Sequence, residues 1–185
     1  SLISVYLLLG EAFENLNQIE NALKAIEEGI SVNEINIDLY LVAAEYAAKL
    51  NDYLKAEDYY KDALSIESEN ERVILKYGEF LNYLGNYDEV LELFNQSPKE
   101  AEQHPEAMWL LANANNELEE YDQARKLFDQ AYEYLNDDLD FLKDYAFFLR
   151  EDGQREKMQE VLARYTSMNP EYDDDIASLL DDFPY

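Results

Sequence analysis

The sequence predicts an all-α protein in which pairs of helices repeat along the chain. The chain of 185 residues, shifted against itself by 34 residues, keeps small and large residues in fixed columns through five repeats. Helix-interrupting residues recur near the middle of each repeat, and the sequence contains no alternating β-branched run typical of a strand. With 48% hydrophobic and 30% charged residues, the composition is that of a folded protein with a buried core.

The columns define the repeats, which are predicted at residues 3–36, 37–70, 71–104, 105–138 and 139–172. A small residue lets a neighbouring helix come close, and a large residue one turn later fills the adjacent space. The eighth position holds Gly10, Ala44, Gly78, Ala112 and Ala146, the twentieth holds Ala22, Ala56, Val90, Ala124 and Met158, and the twenty-fourth holds Ile26, Tyr60, Phe94, Phe128 and Leu162. The columns therefore predict closely packed helices.

Each repeat is predicted to consist of a helix, a turn and a second helix. The turns are marked by residues that mostly interrupt or cap helices, namely Asn17, Asn51, Gly85, Glu119 and Gly153. In the third repeat, Ser97 and Pro98 have the pattern of a helix start, so the second helix should end early there. We interpret this segment as a restarted turn, and a hinge between repeats 1 to 3 and repeats 4 to 5 is the alternative.

A capping helix is predicted at residues 173–183, after the last repeat. Terminal parts of a repeat array need a polar outer face and one apolar face that covers the core. The apolar face of this segment is formed by Ile176, Leu179, Leu180 and Phe183.

The charge of the chain limits the partners that it can bind. The formal net charge is −28, from 42 acidic and 14 basic residues, which opposes the phosphates of nucleic acid and the surface of an anionic membrane. We therefore expect no nucleic acid and no membrane partner. The absence of cysteine fits a reducing compartment, so a cytoplasmic location is predicted. The longest apolar runs, residues 39–44 and 107–112, have six residues each, far fewer than the ~20 residues that cross a bilayer.

The sequence holds few of the residues that catalysis or metal binding needs. His104 is the only histidine and cysteine is absent, so a zinc site or a histidine-activated nucleophile lacks its parts. The five glycines form neither a phosphate-binding loop nor a dinucleotide fingerprint. Acidic pairs are expected by chance among 42 acids and are interpreted as solvated faces or helix caps. We predict no enzyme activity, no catalytic residue, no metal and no cofactor.

The columns resemble those of the tetratricopeptide repeat (TPR) family, whose repeats also carry a small residue at position twenty-seven. That column reads Gly29, Ala63, Ser97, Ala131 and Tyr165, so the fifth repeat departs from the pattern. The resemblance implies a right-handed α-solenoid of antiparallel helix pairs that forms a single domain over residues 1–185. It also implies a scaffold that binds proteins or peptides, and the composition suggests a bacterial cytoplasmic multi-repeat protein.

In proteins of this family the first helix of each repeat lines a concave groove. The corresponding positions combine apolar and acidic side chains with asparagines, which predicts a ligand segment with basic and apolar side chains. The predicted groove residues are Leu41, Glu45, Leu75, Glu79, Asn82, Trp109, Asn113 and Asn116. Partly covered leucines and ordinary surface glutamates are the alternative interpretation of the same columns.

Two other functions fit the same pattern. The asparagines could hydrogen-bond the backbone of an extended peptide, as in the ligand-reading domain of a peptide-sensing regulator. Alternatively, the repeats could serve as a constitutive subunit of an assembly. The chain begins with Ser-Leu-Ile instead of Met, which we interpret as the start of a fragment from a longer repeat protein. Because residues 2–9 leave almost no polar face, self-association through the N-terminal helix is predicted.

Overall fold

A computed structural model of the chain describes residues 2–171 and 174–181. In these ranges the chain forms eleven α-helices, one 3-10 turn and no strand, which confirms the all-α prediction. The helices are α1 Leu2–Asn15, α2 Ile19–Val32, α3 Ile37–Lys49, α4 Tyr53–Ile66, α5 Glu71–Tyr83, α6 Tyr87–Gln96, α7 Pro105–Glu117, α8 Tyr121–Leu135, α9 Leu139–Glu151, α10 Arg155–Met168 and α11 Asp174–Asp181, and the 3-10 turn is Ala101–Gln103.

The turn between the two helices of a pair has the same conformation in all five repeats. One residue in each turn has a φ angle between 56° and 75°, in the left-handed region, and the five are Asn17, Asn51, Gly85, Glu119 and Gly153. The following N–H donates to a carbonyl five residues earlier, for example from Asp52 to Ala47 at 2.9 Å. This is the Schellman arrangement, which satisfies the last carbonyls of a helix and ends it. The predicted turns are confirmed.

Side-chain caps begin several of the first helices of the pairs. The side chains of Asn36, Asn70 and Asp138 accept a hydrogen bond from the backbone N–H three residues further on, at 3.2, 3.2 and 2.9 Å. His104 occupies the equivalent position before α7, where Pro105 is the first helical residue, and makes no side-chain capping bond. It is a helix-entry residue, as the sequence predicts.

The described chain divides into two compact units. The first unit comprises residues 1–80 and 96–101. Its small-column residues Ala22, Ala44 and Ala56 are fully buried. A Cβ atom on Gly10 would lie 2.9 Å from Ile26, so the absence of a side chain is what permits this contact between α1 and α2.

The second unit comprises residues 81–95 and 102–185. Its core is aromatic, because Phe128 stacks on Tyr145 and Phe148 at ring-centre distances of 5.3 and 4.8 Å. Helix α11 packs against α9 and buries Ile176 and Leu179. Of the predicted capping helix, residues 173, 182 and 183 lie outside the described residues.

The third repeat departs from the others where the sequence predicts it. Helix α6 has 10 residues, whereas α2 and α4 have 14 each. The segment after it forms the 3-10 turn Ala101–Gln103, and the Ala101 N–H donates to the Pro98 carbonyl at 3.0 Å. This geometry matches the restarted turn, while the single-domain boundaries and the hinge stay predictions. Among the helices described above, none has the length and apolar character needed to cross a membrane.

Candidate functional site

The predicted groove residues fall into two sets, one in each compact unit. Leu41, Glu45, Leu75 and Glu79 belong to the first unit, and Asn82, Trp109, Asn113 and Asn116 belong to the second. Each set is described within its own unit.

In the first unit the glutamates are exposed and the leucines are not. Leu41 is only 6% exposed and belongs to the core, and Leu75 is half-buried. Lys76 forms an ion pair with Glu79 at 3.0 Å. The hydrogen bond to Glu79 raises the pKa of Lys76, and the charges of Glu79 and Glu45 raise it further against the opposing effect of burial. This acidic surface therefore already holds a cation from its own chain.

In the second unit the three predicted asparagines line a single pocket of about 380 Å³. Tyr87 and Phe147 contribute aromatic surface to its wall. Asp144, on α9, lines the same pocket. We call this cavity the Asp144 pocket. Helix α7 supplies Asn113 and Asn116, so the pocket combines residues from neighbouring first helices of the repeats.

Asp144 is oriented by two of the predicted residues. The indole N–H of Trp109 and the amide N–H of Asn113 both donate to Asp144 Oδ2, at 2.9 and 3.1 Å. Burial raises the pKa of Asp144, although these two hydrogen bonds act in the opposite direction. Trp109 is half-buried and packs edge-on against Phe141 with the ring centres 5.7 Å apart. Trp109 thus positions a carboxylate as well as lying near the pocket.

The rim of the Asp144 pocket adds two exposed carboxylates, Glu117 and Glu151. Within the described ranges, none of the three acids of this pocket forms an ion pair. Burial raises the pKa of the Tyr87 hydroxyl, and the negative charges of Glu117 and Asp144 raise it further. The three acids give the pocket a negative potential, which the charge of Lys143 and the Arg150 guanidinium, 5.2 Å from the ring centre of Phe147, offset only in part.

A second pocket, in the first unit, can be compared with the Asp144 pocket. It has a volume of about 560 Å³ and is lined by Glu27, Tyr40 and Tyr59 among others. Its Glu27 carboxylate is already bound by Lys55 at 2.6 Å and by the Tyr59 hydroxyl at 2.7 Å. Glu34 and Asp62 also line this pocket, so both pockets are acidic. They differ in the most buried acid, because Glu27 already pairs with a lysine whereas Asp144 forms no ion pair.

The side-chain oxygens of two asparagines in the Asp144 pocket lack a hydrogen-bond partner within the described chain. The Oδ1 atoms of Asn82 and Asn116 are buried and accept no hydrogen bond from the part of the chain that the structure describes. Such groups are rare in folded proteins because an unsatisfied buried acceptor costs free energy. Because neither oxygen accepts a hydrogen bond, each amide can rotate towards a ligand without breaking one.

Sequence reasoning missed Asp144, Tyr87, Glu151 and Lys76. A signal for two of them exists in the sixth column of the repeats, which reads Leu8, Val42, Lys76, Leu110 and Asp144. A charged residue in a column that is otherwise apolar marks a position with a special partner. The hydrogen bond from Trp109 to Asp144 joins residues 35 positions apart, and no local pattern indicates it.

The side chains of the Asp144 pocket are suited to binding a ligand and not to holding a metal ion. Over residues 2–171 and 174–181, no group of three or more histidine, cysteine, aspartate or glutamate side chains is arranged to hold a metal ion. Carboxylates and amide oxygens accept hydrogen bonds, and aromatic rings offer flat apolar surface. The Asp144 pocket therefore combines hydrogen-bond acceptors with apolar aromatic surface.

Models of tetratricopeptide repeats match most of the chain. General TPR models match residues 3–36 and 47–114, and a model described as "YpiA-like, C-terminal tetratricopeptide repeats" matches residues 105–172. The chain belongs to the tetratricopeptide repeat family, and its fold is consistent with a protein–protein interaction scaffold. Proteins of this family are generally not catalytic.

The TPR repeat-containing protein YpiA of Bacillus subtilis (strain 168) is a relative with 30% identity over 186 residues. The alignment covers 99% of this chain and 44% of YpiA, so the chain spans less than half the length of this relative.

Solved structures share the fold. PilW, described as a widely conserved type IV pilus biogenesis factor, has a TM-score of 0.82 at 19% identity, over 98% of this chain and 87% of that chain. PilF of Pseudomonas aeruginosa has a TM-score of 0.80 at 16% identity, over 97% and 85% of the two chains. YrrB, described as "a TPR protein with an unusual peptide-binding site", has a TM-score of 0.67 at 19% identity, over 96% and 91%.

Proposed function

We propose that the protein is a non-enzymatic scaffold that binds a protein or peptide partner through a segment with basic and apolar side chains. The observation that carries the proposal is the Asp144 pocket, where three carboxylates without cation partners lie beside aromatic side chains. Positively charged and apolar groups of a partner would complement both features.

The acidic surface of the first unit supports the same kind of ligand. Glu45 and Glu79 are exposed, and Lys76 shows that an ammonium group is stabilised beside them. Against a net charge of −28, basic partners are attracted over a distance, whereas nucleic acid and anionic membranes are repelled. We place this scaffold in the bacterial cytoplasm, because the chain contains no cysteine and resembles a protein of Bacillus subtilis.

Self-association through α1 is part of the proposal. Leu2, Val5 and Leu8 on this helix are 57%, 55% and 64% exposed. Apolar side chains that lie together on one exposed helix favour contact with another protein surface. We therefore propose α1 as the contact region of a homo-oligomer.

A peptide-sensing role is the second candidate, and one observation favours it. Asn82, Asn113 and Asn116 line the same pocket, so their amides can reach one extended segment. Amide side chains both donate to and accept from a peptide backbone. In this role the ligand would be a short peptide instead of a folded partner.

Two sets of synthetic peptides test the proposed function. The sets have equal length and apolar content, and one carries arginine and lysine where the other carries aspartate and glutamate. We expect the basic set to bind with an affinity that falls as salt is added, because exposed charges are screened. Equal binding of both sets would contradict the proposal.

A pair of variants tests the contribution of the first unit. The double substitution Glu45→Gln and Glu79→Gln should slow association of the basic peptides and flatten its salt dependence. Glu20→Gln together with Glu28→Gln removes two exposed charges of the same unit elsewhere and is the matched control. An equal effect of both double variants would assign the attraction to net charge alone.

A further inference from the structure

Asp144 is a partly buried carboxylate that forms no ion pair with the described chain, and only the more distant charge of Lys143 lowers its pKa as a cation. Its Oδ2 accepts from Trp109 and Asn113, whereas its Oδ1 receives no hydrogen bond from the described chain. The neighbouring Lys143 is turned to Asp175, at 2.8 Å. Both donors to Asp144 are neutral, so they fix its orientation without supplying a positive charge.

Asp152, in the same unit, shows what a compensated carboxylate looks like here. Its two oxygens accept from Arg125 Nε at 2.7 Å and from another guanidinium nitrogen of Arg125 at 2.6 Å. This pairing lowers the pKa of Asp152. A carboxylate withdrawn from water favours such a charged donor. Asp144 has one oxygen, Oδ1, that could accept from a charged donor of this kind.

The wall of the Asp144 pocket suits a planar cation. Phe147 already accepts a guanidinium on its ring, because the centre of the Arg150 guanidinium lies 5.2 Å from the ring centre. Tyr87 adds a second aromatic side chain to the wall. A guanidinium carries five N–H donors in one plane and stacks on aromatic rings, whereas an ammonium is a compact, strongly hydrated charge.

We infer that the Asp144 pocket is a subsite for an arginine side chain of the partner. This inference rests on the proposed function, since the partner segment supplies the arginine. The guanidinium donates to the free Oδ1 of Asp144 and places its plane against the aromatic wall. Its remaining N–H groups donate to the amide oxygens of Asn82 and Asn116, once these amides turn towards it. Glu117 and Glu151 at the rim attract the positive charge.

Blocked amino acids test the subsite without a known partner. The probe is N-acetyl-arginine-methylamide, titrated into the full chain while the indole N–H resonance of Trp109 is followed by NMR. Trp109 is the only tryptophan and donates to Asp144, so its resonance reports on that carboxylate. We expect a saturable shift with the arginine probe, a weaker response with the lysine analogue and none with citrulline, which has the same shape but no charge.

Variants separate recognition from folding. Asp144→Asn should weaken the arginine probe by at least about tenfold, since it removes the charged acceptor. Glu133→Gln removes an exposed charge from α8 of the same unit, outside the pocket, and should leave the affinity nearly unchanged. Phe147→Leu should reduce the preference for arginine over lysine, because the ring that stacks on the guanidinium is gone. A cooperative thermal melt, followed by circular dichroism, shows that each variant is folded.

The results of these titrations test the arginine subsite separately from the proposed peptide-binding function. Equal affinity of wild type and Asp144→Asn, or equal binding of arginine and citrulline, overturns the subsite. Lysine binding as tightly as arginine overturns the preference for guanidinium. If basic peptides bind wild type and Asp144→Asn equally, the scaffold stands and the subsite fails. If the arginine probe binds but no basic peptide does, the subsite stands and the peptide-binding function fails.

Discussion

At the scale of single residues, one of the five turns, the one that contains Glu119, has a strained backbone. Glu119 has a φ of 64°, a conformation that costs a residue with a side chain on the order of 1 kcal/mol. The equivalent positions hold asparagine or glycine, which adopt it more readily. Glu119 is therefore the least suited residue among the five turns.

Replacing this glutamate should stabilise the protein. We expect Glu119→Gly to raise the free energy of unfolding by up to about 1 kcal/mol, because glycine adopts a positive φ without steric cost. The measurement is chemical denaturation with urea. Gly153→Ala is the converse control, since a Cβ there meets no atom within 4 Å and only its φ of 74° opposes the substitution. A destabilised Glu119→Gly would contradict this account.

The charge of Asp144 should make stability depend on pH in a defined direction. Burial raises its pKa above the ordinary value of 3.8, so the folded state binds the proton more tightly than the unfolded state. The wild type therefore loses stability relative to Asp144→Asn as pH rises from 3.8 through the folded-state pKa. Thermal melts of both proteins across the acidic and neutral range measure this difference. A gain of the wild type over the variant with rising pH would show that Asp144 is compensated after all.

At the scale of helices, the small columns determine how closely the pairs pack. Ala56 and Ala124 are both fully buried. Ala56→Leu and Ala124→Leu should each lower the free energy of unfolding by about 1–3 kcal/mol, because a well-packed core resists added methylenes. Ala163→Leu, at an exposed position of α10, is the control and should change stability little. Unchanged urea midpoints for the two buried substitutions would show that the assigned repeat columns are wrong.

The sequence predicts the helices more fully than the site, for a physical reason. The turns at Asn17, Asn51 and Gly85 follow from local backbone preferences, and the small columns repeat, so both are visible in the sequence. Trp109 and the three asparagines are predicted because they stand at regular positions of first helices. Asp144 acquires its properties from donors on another helix, and only the fold brings those groups together.

At the scale of the whole molecule, a large negative charge is combined with an exposed apolar helix. The charge of −28 opposes association of identical chains, whereas the leucines of α1 favour it. Salt screens the repulsion and leaves the apolar contact in place. Self-association should therefore increase with ionic strength.

The N-terminal helix should carry this self-association. We expect the wild-type chain to form oligomers in analytical ultracentrifugation, more strongly at higher salt. Val5→Lys together with Leu8→Lys should abolish them, because lysine is costly to bury in an apolar contact. Leu54→Lys, at a residue that is 79% exposed on α4, is the matched control. Oligomers that persist in the α1 double variant would assign the contact to another surface.

The central claim is that an acidic scaffold binds basic and apolar partner segments, and the emission of Trp109 tests it most directly. The measurement is the fluorescence of the full chain during titration with a peptide of alternating arginine and leucine, and with its glutamate counterpart. The account predicts a saturable change in emission with the arginine peptide alone, reduced by added salt, because the sole tryptophan donates to the carboxylate of the pocket. No response to the arginine peptide, or the same response to the glutamate peptide, would contradict the account.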